Sequence, residues 1–116
     1  MQNTPREYKF YLKDILESIY KIEKYTENLS FDDFAKNELI QDGVARNLEI
    51  IGEAVKNIPD DIKRRNSEVE WKKIAGLRDI LIHAYFGIDV DIVWDVVKNK
   101  IPKLKESIVE ILSQEE

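Results

Sequence analysis

The chain has 116 residues, the length of one domain, with 43% hydrophobic and 35% charged residues, enough apolar content for a packed core rather than a disordered chain. It has no Cys and one His, which excludes disulfides, thiolate zinc sites, thiol catalysis and a multi-histidine metal site within one chain. Eighteen Lys and Arg against 23 Asp and Glu leave a net charge of −5; this argues against nucleic-acid binding driven by overall charge, but not against a local site that handles a phosphate. The N-terminus carries no signal-like apolar run, and no stretch approaches the roughly 18–20 apolar residues of a membrane span. A cytoplasmic protein is therefore expected, with residues 1–116 forming a single domain.

Few Gly and Pro and little β-type alternation predict helices throughout. The first opens at Thr4-Pro5-Arg6-Glu7, a capping box with Pro at the first helical position. Its apolar stripe runs through Tyr8, Leu12, Ile15, Ile19 and Ile22 at spacings of three and four, and ends near Tyr25-Thr26. Ser30-Phe31-Asp32-Asp33 is a second capping signal. The helix expected after it carries Leu39, Val44, Leu48, Ile51, Val55 and Ile58, and Pro59 ends it. Gly52 leaves a flat spot on this helix where a neighbour can approach closely, and Gly43 is a weak point in it.

Residues 60–66 form a charged turn or short helix. Ser67-Glu68-Val69-Glu70 is a third capping box, leading into Trp71, Ile74, Leu77, Leu81 and Ala84, with Gly87 as the stop signal. Asp89 or Asp91 caps a last helix bearing Val93, Val97, Leu104, Ile108 and Ile111, and Pro102 should kink it. Four main helices with short connections predict an all-α, up-and-down bundle, with one face available for pairing with a second copy.

The chemistry concentrates in Arg78-Asp79-Ile80-Leu81-Ile82-His83-Ala84-Tyr85. On a helix, Arg78 and Tyr85 lie about 20° apart and inside the apolar arc. A guanidinium there needs an anion, because burying it unpaired costs several kcal/mol. The candidates are a phosphate, Asp33 or a Glu of another helix. His83 lies about 140° from Arg78 on an ideal helix, so one straight helix does not bring both to the same small group. Either the helix loosens before Gly87, or two copies each supply part of the site. Asp79 and His83 share a face at a spacing of four, where the carboxylate would orient the ring and favour the imidazolium. Arg clamps a phosphodiester and stabilises its developing charge, and His moves protons near neutral pH. RNA brings its own nucleophile, the 2′-OH. The pair would therefore suffice for metal-free scission to a 2′,3′-cyclic phosphate, sparing DNA.

The stretch Arg78–His83–Tyr85 matches the R-x4-H-x-Y signature of the HEPN superfamily. The whole chain more closely resembles the HepT toxins of the MntA/HepT, type VII, toxin–antitoxin pairs. Arg46-Asn47-Leu48-Glu49-Ile50-Ile51-Gly52-Glu53-Ala54, Trp71 and Ile101-Pro102-Lys103-Leu104 extend the resemblance. It implies a helical homodimer with metal-independent endoribonuclease activity and no cofactor. Arg78 and His83 from two protomers would line a shared cleft. The implied partner is a nucleotidyltransferase antitoxin that uses ATP and Mg²⁺ to attach AMP to Tyr85, silencing the cleft. Other members with this outline are nucleotide-binding or partner subunits, so a non-catalytic binding subunit of a nucleotidyltransferase stays open, as does a plain dimeric module with an ion-paired Arg.

Three softer candidates remain. Asn47 faces the apolar side, either bonding towards the cleft or Arg78, or holding two helices as a buried amide. Glu49 and Glu53 read as a salt-bridged surface with Arg46 and Lys56. Lys63-Arg64-Arg65 and Lys72-Lys73 form the most basic region, either a solvated loop or a guide for RNA backbone.

Overall fold

A computed structural model describes residues 5–82 and 89–114, with side chains described for 7–78 and 89–114. Two helices dominate its first half, α1 (Pro5–Thr26) and α3 (Glu38–Lys56), separated by the short α2 (Phe31–Lys36). The short α4 (Asp60–Arg65) leads to α5 (Trp71–Ile82). The final helical run comprises α6 (Val90–Asp95), a π-helical turn over Val96–Lys100 and α7 (Ile101–Gln114). Among the described residues every regular element is helical, so the all-α expectation holds, with four main helical runs and two short ones.

The α1 stripe is the spine of the core. Tyr8, Leu12, Ile15, Ile19 and Ile22 are all buried, as the three- and four-residue spacing predicts. They face Val44, Leu48, Ile51 and Val55 of α3 and Leu104, Ile108 and Ile111 of α7 in one continuous cluster. Helix α3 lies between α1 and α5, and α3 is the principal neighbour of α5. Asn28 takes a left-handed φ of 62° just beyond α1, a conformation Asn tolerates, and turns the chain towards α2.

The single helix expected after Ser30 is two. The chain leaves α2 at Asn37, whose φ of −112° and ψ of 90° are not helical. Asn37 then caps α3, its Oδ1 accepting the Ile40 N–H at 3.0 Å. Gln41 donates back to the carbonyls of Phe34 and Ala35, satisfying the open end of α2. The break also moves Leu39. It sits in the first turn of α3, 82% exposed, and not on the core face expected for it. Phe34 instead enters the core and packs on Trp94 of α6, ring centroids 5.1 Å apart.

The third capping box does not form. The chain turns over residues 66–69, and α5 begins at Trp71, with Ile74 N–H bonded to the Glu70 carbonyl. The Trp71 indole donates to the Asn66 carbonyl at 3.0 Å and ties that turn to α5. Pro102 is accommodated by the π-helical turn before it. The Ile101 N–H bonds to the Val96 carbonyl, five residues back, so the register changes where proline supplies no donor. The Thr4 cap, Ala84 and Gly87, like the side chain of Leu81, lie outside the described residues.

The capping box at Ser30 does form. Asp33 N–H donates to the Ser30 hydroxyl, and the Ser30 N–H donates to the Asp33 carboxylate at 3.0 Å. That backbone donor first, the hydroxyl second, and Lys36 more weakly, hold the Asp33 carboxyl below its usual pKa against slight desolvation. A carboxyl depressed in the folded state stabilises the fold above its unfolded pKa, and the effect is lost as pH falls through the folded value. The contribution therefore starts to fade near the ordinary carboxylate range, about pH 4, and is gone only below the lowered folded value. Asp33→Asn is expected to lose less stability than the parent between pH 7 and pH 3 in urea denaturation; identical acid sensitivity would refute this role.

Candidate active site

Helix α5 carries Arg78 on the side that meets α3. The two backbones meet closely at Gly52. A Cβ there would lie 3.1 Å from Arg78 Cβ, 3.2 Å from the Arg78 amide nitrogen and 3.2 Å from the Ile74 carbonyl oxygen. Two of those neighbours are backbone atoms, so rotating a side chain does not relieve the crowding. The flat spot expected at Gly52 is thus where α5 docks, and the residue it accommodates is Arg78.

The next residue on α3 supplies the anion. Glu53 Oε2 accepts from Arg78 Nε at 2.9 Å. The Arg78 side chain is 38% exposed and that of Glu53 57%, so the guanidinium sits at the edge of the helix contact instead of deep in the apolar arc. Solvent screens such a pair, and its direct worth is under about 1 kcal/mol. Its value is geometric, because a carboxylate on Nε restrains the direction of the guanidinium. Of the anions foreseen for Arg78, the structure selects a Glu of another helix. Glu53 therefore reaches across to α5, a partner outside the Arg46 and Lys56 pairing expected within α3.

Asn47 is buried, 4% exposed, as its position on the apolar side predicts. Its Nδ2 donates to the Gly43 carbonyl one turn back at 2.9 Å. Its Oδ1, the atom that would accept from Arg78, has no partner among the described residues. The amide is thus tied to its own helix and is not bonded to Arg78. Asp79 lies in α5, but its side chain is outside the described residues, as are His83 and Tyr85 entirely. Arg78 is therefore the one member of the proposed catalytic pair whose surroundings are described. Among the described residues no three His, Asp or Glu side chains gather to hold a metal ion.

Glu53 is ion-paired, as expected of a salt-bridged surface, and the partner the structure gives it is Arg78 of α5. The signal for it lay beside Gly52: a residue next to the point of closest helix approach is well placed to reach the neighbouring helix.

The family model for the ribonuclease HepT-like family matches residues 15–111. A probable ribonuclease HepT of Thermococcus cleftensis is 52% identical over 100 residues, covering 86% of this chain and 91% of that protein. A protein of Caldanaerobacter subterraneus named as a candidate RNase is 43% identical over 112 residues, 97% of each chain. A Methanocaldococcus jannaschii protein, whose name joins gamma-glutamylcyclotransferase to a candidate RNase, is 48% identical over 109 residues. The match covers 94% of this chain and 49% of that protein, so the chain spans about half its length. No solved structure matches the chain. The chain belongs to the HepT-like ribonuclease family.

The contact at Gly52 gives a direct test. Gly52→Val should push α5 off α3 and cost about 1–3 kcal/mol, as overpacking does. The expected readout is a lower thermal midpoint; an unchanged midpoint would show that the two helices do not meet there.

Proposed function

We propose that this chain is a metal-independent endoribonuclease and the toxin half of a type VII toxin–antitoxin pair. Membership of the HepT-like ribonuclease family supports the reading. The observation that carries it is Arg78, held half-exposed at the α3–α5 contact with its Nε engaged by Glu53. A guanidinium directed in this way is suited to a phosphodiester, whose two non-bridging oxygens match a planar fork of donors.

In the proposed reaction a base removes the proton of the 2′-OH, and O2′ attacks the adjacent phosphorus. The P–O5′ bond breaks, and the departing 5′-oxygen takes up a proton. The products are a 2′,3′-cyclic phosphate and a 5′-hydroxyl. Arg78 neutralises charge on the non-bridging oxygens as the phosphorus becomes five-coordinate. His83 moves the protons, with Asp79 orienting its ring. One His does not readily serve as both base and acid in one turnover, and on a regular helix it would lie about 140° from Arg78, which would separate the two groups. A homodimer answers both points, because a shared cleft receives Arg78 and His83 from two protomers.

An apolar groove beside α5 supports the dimer. Its outer flank, with Ile74, Gly76 and Leu77, faces Val96 and Leu104 across a groove of about 450 Å³. A second copy would cover this surface. The nucleotidyltransferase antitoxin would act at Tyr85: its phenolic oxygen attacks the α-phosphorus of ATP, pyrophosphate leaves, and the phenol proton is released. The added AMP, two residues from His83, would block the cleft and offer Arg78 a competing anion.

Unmodified protein is expected to cleave RNA in excess EDTA. Arg78→Ala and His83→Ala should each lose at least 100-fold in rate, while their melting transitions remain cooperative. Co-expression with the cognate nucleotidyltransferase should add adenylyl mass, which Tyr85→Phe abolishes. Intact RNA with folded, unmodified protein would overturn the nuclease assignment.

A further inference from the structure

The basic tract foreseen around Lys63 and Lys72 is gathered into one place. Helix α4, the turn after it and the start of α5 enclose an open hollow of about 530 Å³, lined by Lys63, Arg64, Lys72 and Lys73 around Trp71. Two carboxylates share it, Asp60 and Glu70. Glu70 is engaged, holding Lys73 at 2.9 Å and Lys100 at 3.4 Å. Among the described residues no ion pair within 4.0 Å involves Lys63, Arg64 or Lys72. On a chain of net charge −5, three such cations beside one hollow form a concentrated local field.

The walls of the hollow are fixed before any ligand arrives. The Asn66 carbonyl accepts from both the Trp71 indole and the Val69 N–H, and the Asn66 amide donates to the Ile62 carbonyl at 2.9 Å. A preorganised frame spends little ordering entropy on binding. Trp71 is buried and its N–H is used, so the hollow offers charge and no aromatic face for stacking. That combination suits a repeated anion read without regard to sequence. Trp71 and Arg78 lie seven residues apart on α5, within about 20° around the helix and about 10 Å along it. The hollow at the start of α5 and Arg78 are therefore separated by about 10 Å along the helix, the span of a few nucleotides.

We propose that this hollow is a second, non-catalytic site that grips the phosphodiester backbone of the RNA several nucleotides away from the scissile bond. The proposal rests on the ribonuclease reading for the identity of the strand. Lys63, Arg64 and Lys72 are positioning residues here: they hold the strand while Arg78 and His83 act on it. Long RNA gains from both sites, whereas a dinucleotide reaches only the catalytic one.

The test separates binding from cleavage. A 2′-O-methyl RNA oligonucleotide of about 12 residues lacks the free 2′-OH and resists this chemistry, so its anisotropy titration in EDTA reads binding alone. The triple variant Lys63→Glu/Arg64→Glu/Lys72→Glu is compared with Lys13→Glu/Lys24→Glu/Lys36→Glu, which changes net charge equally elsewhere. The expected result is at least tenfold weaker binding for the hollow variant and less than threefold for the control. The slope of log affinity against log salt should fall by about 2 in the hollow variant, from three lost contacts to a single strand. In cleavage, the hollow variant should show a raised KM for long RNA with an unchanged rate on a dinucleotide. Should the charge reversal unfold the chain, as circular dichroism would show, Lys63→Gln/Arg64→Gln/Lys72→Gln takes its place. Equal weakening in hollow and control variants, unchanged binding in the hollow variant, or no RNA binding by the parent protein would each overturn the proposal. So would competition by polyglutamate as effective as by RNA of equal charge. Absence of cleavage by every protein in EDTA would instead count against the ribonuclease reading, and the binding titration would still decide this one.

Discussion

The side chain that Gly52 lacks determines where Arg78 sits. A methyl group at that position would come within about 3.2 Å of the α5 backbone at two points, so glycine lets α3 and α5 sit a few tenths of an ångström closer than a side chain would. The approach brings Glu53 within reach of the Arg78 Nε. That carboxylate restrains the direction of the guanidinium, on which the phosphate chemistry proposed for Arg78 relies. The contact is backbone packing first and electrostatics second, since a pair this exposed adds little energy of its own.

The rest of the fold supports that contact. The apolar stripes of α1, α3 and α7 form one buried cluster, so the stability of the domain rests mainly on that core and less on the charges at its surface. Cations can then be placed for function at little structural cost. Arg78 is restrained by a carboxylate; Lys63, Arg64 and Lys72 face a hollow whose frame is closed by hydrogen bonds to backbone carbonyls. With the two proposed basic sites, an acidic chain would limit indiscriminate adhesion to nucleic acid while offering a strand two points of attachment.

Much of this architecture was legible in the sequence, because hydrophobic periodicity reports burial directly. Ile15, Ile19 and Ile22, Leu48 and Ile51, and Ile108 and Ile111 are all in the core. Capping signals were less dependable. Ser30 caps as expected, yet Ser67 does not, because the indole and amide bonds of Trp71 and Val69 to Asn66 give that turn a different shape. The break at Asn37 was invisible: Asn is tolerated inside a helix, and only Gln41 reaching back to the end of α2 reveals why the chain stops there. At the site, Gly52 and Arg78 were each recognised, but their meeting is a tertiary fact. No spacing within one helix reports which residue of another lies across from it, and Glu53 was therefore given partners on its own helix.

The proposed chemistry is scission of RNA by its own 2′-hydroxyl attacking the adjacent phosphorus. The most direct measurement uses an RNA cut at one position by the unmodified protein in EDTA, and the same RNA with a single 2′-deoxynucleotide 5′ to that bond. Cutting at that bond is expected to cease while neighbouring bonds remain susceptible, and products of the parent RNA should end in a 2′,3′-cyclic phosphate. Continued cleavage at the deoxy position, or a 3′-hydroxyl end, would contradict this chemistry.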